Sequence, residues 1–135
     1  MSILDLCMEE INNAVEPFVV GTTEECKIRI TNYKTGDNKN GNPYALFTFV
    51  APDFPGSKAF TKYFPIIHQG MDADERNRTA RKWKAFLSAF DIDATGGLDM
   101  DSIIGLECWA LLGVEQPQEG REEYGESNYI KKFIG

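Results

Sequence analysis

The spacing of apolar residues along this chain predicts five β-strands and one long helix. Apolar and polar side chains alternate in the strand-like stretches, whereas apolar side chains recur every three or four residues between 73 and 90. The predicted strands cover roughly residues 17–33, 43–50, 57–67, 105–116 and 127–134. The predicted helix therefore falls between the third and fourth strands.

This order of elements is typical of an OB-fold, a five-stranded barrel that binds oligonucleotides or oligosaccharides on one face and on two flanking loops. We therefore predict a mainly β, OB-fold-like five-stranded barrel over residues 17–135, with one α-helix between strands 3 and 4. Residues 1–16 form an N-terminal arm or a short helix, because Ile3, Leu6 and Ile11 approach a helical period.

Aromatic and basic side chains are interleaved on the first three predicted strands. In the first strand, Lys27 and Arg29 alternate with apolar residues, which gives the strand a basic outer face. In the third strand, one face carries Lys58, Phe60, Lys62 and Phe64, and the other carries Thr61 and Tyr63. Single-strand binders combine cations that follow the phosphates with rings that stack on bases. The phenylalanines are predicted to be core, whereas the tyrosines Tyr33, Tyr44 and Tyr63 suit the core and the surface about equally.

The fourth strand and two polar segments complete the predicted binding surface. Small and apolar residues such as Cys108 and Ala110 are expected inward, so Trp109 points outward, either as a stacking platform or against the N-terminal segment. Residues 35–43 are dense in turn formers, and residues 116–127 are polar. These segments correspond to the two ligand-flanking loops of the fold.

The predicted helix has a core face and a basic face. Asp72 is expected to cap its N-terminus, and Trp83 and Phe86 belong to the apolar stripe. We expect most of its bases to be solubilising. The acidic stretch 91–102 that follows resembles an EF-hand calcium loop, but Ser102 replaces the bidentate glutamate and a strand follows it. We predict an acidic connecting loop there and no metal site.

Charge is unevenly distributed along the chain. The formal net charge is −7, whereas domains that bind phosphate backbones are usually basic. Residues 1–26 carry −6, residues 27–90 carry +6, and residues 91–135 carry −7. The distribution fits either a local cationic face on an acidic protein or charges scattered over a solvated surface.

Composition indicates one ordinary globular domain. The 135 residues are 42% hydrophobic and 26% charged, and no apolar run approaches the roughly 18 residues of a membrane span. The acidic start does not resemble a secretory signal, so we expect a cytoplasmic protein. Cys7, Cys26 and Cys108 are far apart and odd in number, which predicts buried free thiols. The single histidine, His68, has no catalytic partner nearby in sequence, and we predict no enzyme activity and no cofactor.

Four sequence stretches carry a resemblance to a known family. They are Asn40-Gly41-Asn42-Pro43-Tyr44-Ala45-Leu46, Arg81-Lys82-Trp83-Lys84-Ala85-Phe86-Leu87, Ile104-Gly105-Leu106-Glu107-Cys108 and Tyr124-Gly125-Glu126-Ser127-Asn128-Tyr129-Ile130-Lys131-Lys132-Phe133. From Gly21 to Ile134 the chain resembles short phage-encoded single-stranded-DNA-binding proteins with an OB-fold, long known only as a domain of unknown function. The resemblance implies a replication or recombination accessory that coats single strands, often as a dimer or larger assembly. The long acidic C-terminal tail usual in such coating proteins has no counterpart in the final residues given, Lys131 to Gly135.

We therefore predict a protein that binds single-stranded DNA, with RNA left open, with little sequence preference. Expected partners are replication or recombination proteins and further copies of the chain, as a homodimer or larger, and no membrane. The predicted DNA-binding residues are Lys27, Arg29, Lys34, Lys39, Tyr44, Lys58, Lys62, Tyr63, Trp109 and Arg121. The alternative is a protein-interaction or virion-structural β module that uses the acidic ends as its contact surface. Oligosaccharide binding is a third option for this fold.

Overall fold

A computed structural model describes residues 3–14, 16–21, 24–117, 119–120 and 125–135 of the chain. Its elements are α1 (Met8–Asn12), β1 (Cys26–Asp37), β2 (Pro43–Val50), β3 (Phe60–Pro65), α2 (Ala73–Ala89), a 3-10 helix (Met100–Ile103), β4 (Glu107–Glu115) and β5 (Ser127–Phe133). The strands form one antiparallel sheet in the order β3-β2-β1-β4-β5. The prediction of a mainly β chain with a helix between strands 3 and 4 is confirmed.

β3 and β5 are the two edges of this sheet. Among the described residues no backbone ladder joins them, so hydrogen bonds do not close the sheet into the predicted barrel. Side chains connect the two edges instead. The ring of Phe86 in α2 lies 5.2 Å from that of Phe64 in β3 and 5.9 Å from that of Phe133 in β5, between ring centroids. The Lys58 Nζ donates a 2.8 Å hydrogen bond to the carbonyl oxygen of Glu126.

β1 is the central strand and joins the β2–β3 half of the sheet to the β4–β5 half. It pairs with β4 from Cys26 to Arg29 and with β2 from Arg29 to Asp37. The register with β2 shifts between Ile30 and Asn32, which is a β-bulge that bends the strand. Before the bulge, Cys26 and the isoleucines that alternate with it are buried, as the sequence predicts.

The bounds of two strands differ from those predicted. β1 begins at Cys26, about nine residues later than expected, and it continues to Asp37 through residues predicted to be loop. The turn is tight, because the Asn38 side-chain oxygen accepts hydrogen bonds from the backbone N–H groups of Asn40 and Asn42. β3 begins at Phe60 instead of about residue 57. β2 matches its predicted bounds, at Pro43–Val50, and β4 and β5 differ from theirs by at most two residues at either end.

Aromatic rings from the sheet and α2 form the centre of the core. Phe47 of β2 stacks on Phe86 of α2 at 4.6 Å between centroids, and Phe90 stacks on Phe49 at 6.2 Å. The indole Nε1 of Trp83 donates a 2.7 Å hydrogen bond to the carbonyl oxygen of Pro65. These contacts confirm the predicted core face of α2 and place it on one side of the sheet.

Carboxylates cap the N-terminus of α2 and two turns of the acidic loop. Asp72 accepts a 2.8 Å hydrogen bond from the backbone N–H of Glu75, as predicted for the N-cap. In the loop, Asp93 accepts from the N–H of Thr95, and Asp99 accepts from the N–H of Asp101 at the start of the 3-10 helix. In the described part of the chain, no group of three or more His, Cys, Asp or Glu side chains is placed to hold a metal ion.

The three cysteines are free thiols in two different environments. Cys26 and Cys108 are buried as predicted, whereas Cys7 is exposed, because the arm that carries it leaves the domain. Burial raises the pKa of the Cys108 thiol to about 12. Burial and the nearby Asp53 carboxylate raise the pKa of Cys26 as well. Both buried thiols therefore stay protonated at neutral pH, which makes them poor nucleophiles.

The segment that precedes β1 is fastened to the sheet at two points. Phe18 forms an isolated bridge with Ser57, and its carbonyl oxygen accepts from the N–H of Lys58 at 2.7 Å. Two residues later, Val20 is buried against β5, where it contacts the buried side chain of Asn128. The described residues before Phe18, which are 3–14, 16 and 17, are exposed, including all of α1, the short helix expected of the arm. No helix among the described residues is long and apolar enough to cross a membrane.

Asn128 connects three backbone groups in the interior. Its Oδ1 accepts a 2.8 Å hydrogen bond from the N–H of Val20, and its Nδ2 donates to the carbonyl oxygens of Val20 and Gly113, at 2.9 and 3.0 Å. Each of these groups would be left without its partner if the amide were removed. A buried polar group in that state costs roughly 1–3 kcal/mol.

We therefore expect Asn128→Ala to lower the free energy of unfolding by about 2–4 kcal/mol. Urea denaturation of the variant and the wild type measures the difference. Asn40→Ala is the matched control, because this exposed side chain makes no buried hydrogen bond, and its stability should stay within about 0.5 kcal/mol of the wild type. Equal stability of Asn128→Ala and Asn40→Ala would contradict a structural role for the buried amide.

Candidate nucleic-acid interface

The face of the sheet opposite α2 is partly exposed, and we call it the outer face. Cross-strand pairing assigns side chains to it, because directly opposed residues of antiparallel strands point to the same side. Tyr63 is opposite Leu46, which is opposite Lys34, and Lys27 is opposite Trp109. Six of the ten predicted DNA-binding residues lie on the outer face: Lys27, Arg29, Lys34, Tyr44, Tyr63 and Trp109.

A stacked pair of tyrosines occupies one end of the outer face. The rings of Tyr44 and Tyr63 are 5.1 Å apart between centroids, with an angle of 22° between their planes. Asn38 in the β1–β2 turn donates a 3.3 Å hydrogen bond to the Tyr63 hydroxyl. Tyr63 is 43% exposed, so ring surface is available to a ligand. The exposed Lys34 is two strands away in the same row, a distance of about 10 Å.

A second aromatic residue, Trp109, lies toward the other end of the outer face. It is 42% exposed, which confirms the predicted outward orientation, and the Lys27 Nζ is 5.5 Å from the centre of its ring. A cation at this distance from an indole is a cation–π contact. Glu24 and Glu25 line the same shallow pocket as Trp109. The ring is therefore exposed, and the pocket beside it is also lined by acids of the segment just before β1.

Arg29 is paired with a carboxylate. Its Nη2 is 2.6 Å from Glu107 Oε2, and its Nε donates to the same oxygen at 2.8 Å. Both side chains are substantially exposed, and an exposed ion pair is typically worth less than about 1 kcal/mol. While Glu107 is paired with Arg29, the two side chains together carry no net charge, so they attract a phosphate only weakly. Arg29 is therefore a weaker candidate contact than Lys27 or Lys34.

The remaining predicted residues are not on the outer face. Lys39 is exposed in the β1–β2 turn, next to Asn38. Lys58 lies at the approach of β3 to β5 and donates to the Glu126 carbonyl. Lys62 is opposite Phe47, on the side of the sheet that faces α2, since neighbouring strand residues point to opposite faces. Arg121 lies outside the described residues.

Lys62 belongs to a basic cluster at the seam between the two sheet edges. It lines a cavity of about 320 Å³ with Lys82 of α2 and with Lys131 and Lys132 of β5. None of the described residues that line this cavity is acidic. Loss of water around the Lys62 ammonium and repulsion from Lys82 lower its pKa below the ordinary value. We call these four lysines the seam cluster.

Sequence reasoning did not assign a binding role to three of these lysines. Lys82 was expected on a solubilising face, and Lys131 and Lys132 were assigned only to the closing strand. The predicted fold contained the necessary signal, because it places strands 3 and 5 side by side at the helix. Bases on strand 3, strand 5 and the helix then converge, even though they are far apart in sequence.

The sequence matches no protein-family model and no curated protein. Function is therefore inferred from the chemistry of the two surfaces. The outer face combines exposed rings with lysines, and the seam cluster concentrates positive charge. Rings stack on planar or apolar groups, and lysines attract anions, so a ligand suited to both surfaces combines planar or apolar groups with negative charge.

We expect Lys62→Met to stabilise the protein at pH 7, raising Tm by about 1–3 °C. The lysine keeps a charge that is partly removed from water and repelled by Lys82, and methionine has a similar length without the charge. The pKa of Lys62 is lower in the folded state than in the unfolded state. The charge of Lys62 therefore lowers the free energy of unfolding by its full amount at pH values below the folded-state pKa. The difference in Tm should therefore shrink as pH rises through the folded-state pKa toward about 10.4, where the unfolded lysine also loses its proton.

Thermal unfolding of both proteins between pH 7 and pH 10.5 measures this difference. Lys34→Met is the matched control, because Lys34 is exposed and its charge carries no such penalty. A Tm gain that is the same in both variants, or independent of pH, would contradict the assigned cause.

Proposed function

We propose that this protein binds single-stranded DNA with little sequence preference, as an accessory to phage DNA replication or recombination. The observation that carries the proposal is the outer face, where Tyr63, which stacks on the half-buried Tyr44, and Trp109 are exposed near Lys34 and Lys27. Rings that accept any base and cations that accept any phosphate give affinity without sequence readout.

The sheet supports an OB-like interpretation of this surface. Its strand order and the position of α2 agree with a five-stranded Greek-key barrel that is partly open, the form in which this fold occurs. In such a barrel the ligand contacts strands 2 and 3 and the adjoining loops. Tyr44 and Tyr63 belong to these strands, and Lys39 lies in the first of the loops.

The seam cluster extends the proposed path of the DNA strand. β3 is an edge strand, with Tyr63 on the outer face and the adjacent Lys62 turned toward the seam. A DNA strand that crosses the β3 edge from the outer face contacts the ring of Tyr63 first and then the lysines of the seam cluster. Phosphate there would relieve the repulsion between Lys62 and Lys82.

Binding should depend on salt and on named side chains. We expect a 30-nucleotide single strand to bind at low salt, with a log–log slope of about −0.7 for each phosphate neutralised. Lys34→Ala should weaken binding and reduce the magnitude of the slope by about 0.7. Tyr63→Ala should weaken binding by roughly 1–3 kcal/mol, about 5- to 150-fold, and leave the slope unchanged, because stacking releases no counterions. Fluorescence anisotropy across a salt series measures both quantities.

Arg78→Ala is the matched charge control. Arg78 is an exposed base of α2, so its removal changes net charge as much as Lys34→Ala does. Affinity and slope should stay at wild-type values in this variant. No binding of the 30-mer at low salt, or an equal loss in Lys34→Ala and Arg78→Ala, would reject the proposed surface. Duplex DNA and RNA of the same length test the preference for single-stranded DNA.

The alternative is a protein-interaction or virion-structural β module. The net charge of −7 and the neutralisation of Arg29 by Glu107 favour it over nucleic acid. Self-association or protein capture without any affinity for DNA would select this function. Binding of a neutral oligosaccharide that depends on Tyr63 and is insensitive to salt would select the third function that the fold permits.

A further inference from the structure

The N-terminal arm, residues 3–16, exposes an unusual amount of apolar surface. Ile3 and Leu4 are 89% and 77% exposed, and Leu6, Met8 and Ile11 are each at least half exposed. Isolated exposed apolar side chains are ordinary, but a contiguous group usually marks an interaction site. α1 is only five residues long, and helices that short are not stable in water without packing. The arm therefore lacks the contacts that would stabilise its own helix.

A second unoccupied apolar surface lies on α2. Between this helix and the residues after β3 there is a groove of about 560 Å³, which we call the α2 groove. Its lining consists of Ile66, Ile67, Ala80, Trp83, Lys84, Leu87 and Ser88. The indole N–H of Trp83 is already bonded to the Pro65 carbonyl, so the indole offers the groove no free donor. Ile67 is exposed at its rim.

The two surfaces have opposite charge. The arm carries four acids, Asp5, Glu9, Glu10 and Glu16, and no base. Residues 76–88 of α2, which include the helical side of the groove, carry five bases and no acid. The arm and the groove are therefore complementary in charge, and both also expose apolar surface that contact would bury. Charge complementarity speeds association and disfavours partners of the wrong sign.

The geometry favours the groove of another copy over the arm's own groove. The arm leaves the domain at Phe18, which is bridged to Ser57 before β3, whereas the groove begins at Ile66, after the end of β3. β3 alone covers about 17 Å between Phe60 and Pro65, at about 3.3 Å per residue, and the residues on either side of it add to the separation. The six Cα–Cα steps from Asn12 to Phe18 reach at most about 22 Å. To fill its own groove, α1 would therefore need a nearly fully extended tether while the Phe18 bridge is intact, whereas the groove of a second copy needs no such extension.

We propose that the N-terminal arm of one copy lies in the α2 groove of a second copy, and that reciprocal exchange of the two arms forms a two-fold symmetric dimer. The apolar residues of α1 pack against Ile67, Trp83 and Leu87 of the partner copy, and the arm's carboxylates lie near the bases of the partner's α2. Closed exchange of identical segments is a common route to dimers. This proposal does not rest on DNA binding, since the lining of the groove includes no residue of the outer face or of the seam cluster.

The full chain and three single variants test the proposal by sedimentation equilibrium. Ile11→Asp puts a charge on the apolar side of the arm, and Ile67→Asp does so in the groove. Ile104→Asp is the matched control, because Ile104 is exposed to the same extent as Ile67, at 39% and 38%, and lies outside the groove. We expect the wild type and Ile104→Asp to dimerise equally, and the other two variants to dissociate with at least a tenfold higher Kd. Circular dichroism checks that each variant is folded.

A mixing experiment establishes that the arm acts between copies. The Ile11→Asp protein keeps an intact groove, and the Ile67→Asp protein keeps an intact arm. Their mixture should form a heterodimer with one intact arm–groove contact, visible by native mass spectrometry when one protein carries a mass label. Three results would overturn the proposal: a wild-type monomer up to about 100 µM, a dimer unaffected by either variant, or a mixture without heterodimer.

Discussion

The fold depends on β1 pairing with two different strands. Arg29 is the residue at which the partner changes, because its backbone is opposite Glu107 of β4 on one side and Val50 of β2 on the other. Just beyond this residue, the bulge between Ile30 and Asn32 bends β1 and increases its twist. The bend turns the β2–β3 half of the sheet toward the β4–β5 half, and Phe86 packs between Phe64 of β3 and Phe133 of β5.

That bend also separates the core from the candidate binding face. With both halves of the sheet curved toward α2, the phenylalanines of β2 and β3 converge on Phe86 and are fully buried. The alternate positions are then held on the outer surface, where Tyr44, Tyr63 and Trp109 cannot reach the core. Exposed rings cost hydrophobic free energy in the isolated chain, so their retention beside lysines is an argument for a ligand.

Local alternation predicted most of the fold, whereas long-range pairing decided what it missed. The buried face of β1 and the outward Trp109 follow from the period of two residues, and the N-cap at Asp72 follows from its residue type. The continuation of β1 through Gly36 and Asp37 does not, because these residue types are depleted in strands and are held there by pairing with β2. Likewise, no local pattern places Lys62 beside Lys132, or Arg29 against Glu107. Six residues of the outer face could therefore be predicted from the sequence. The seam cluster could not be predicted from local pattern, because its lysines meet only when β3, β5 and α2 pack together.

The proposed dimer and the proposed DNA surface affect each other through geometry. α2 and its groove lie on the side of the sheet opposite the outer face, so arm exchange leaves both outer faces of a dimer free. A single strand long enough to contact both faces binds the second one at the high effective concentration set by the dimer. Affinity per face can then be modest, which suits an acidic protein with few unpaired bases on that face. The acidic arm has a further consequence: once it lies in the groove beside Lys84, it lowers the attraction of that part of α2 for DNA and leaves the outer face and the seam as the principal cationic surfaces.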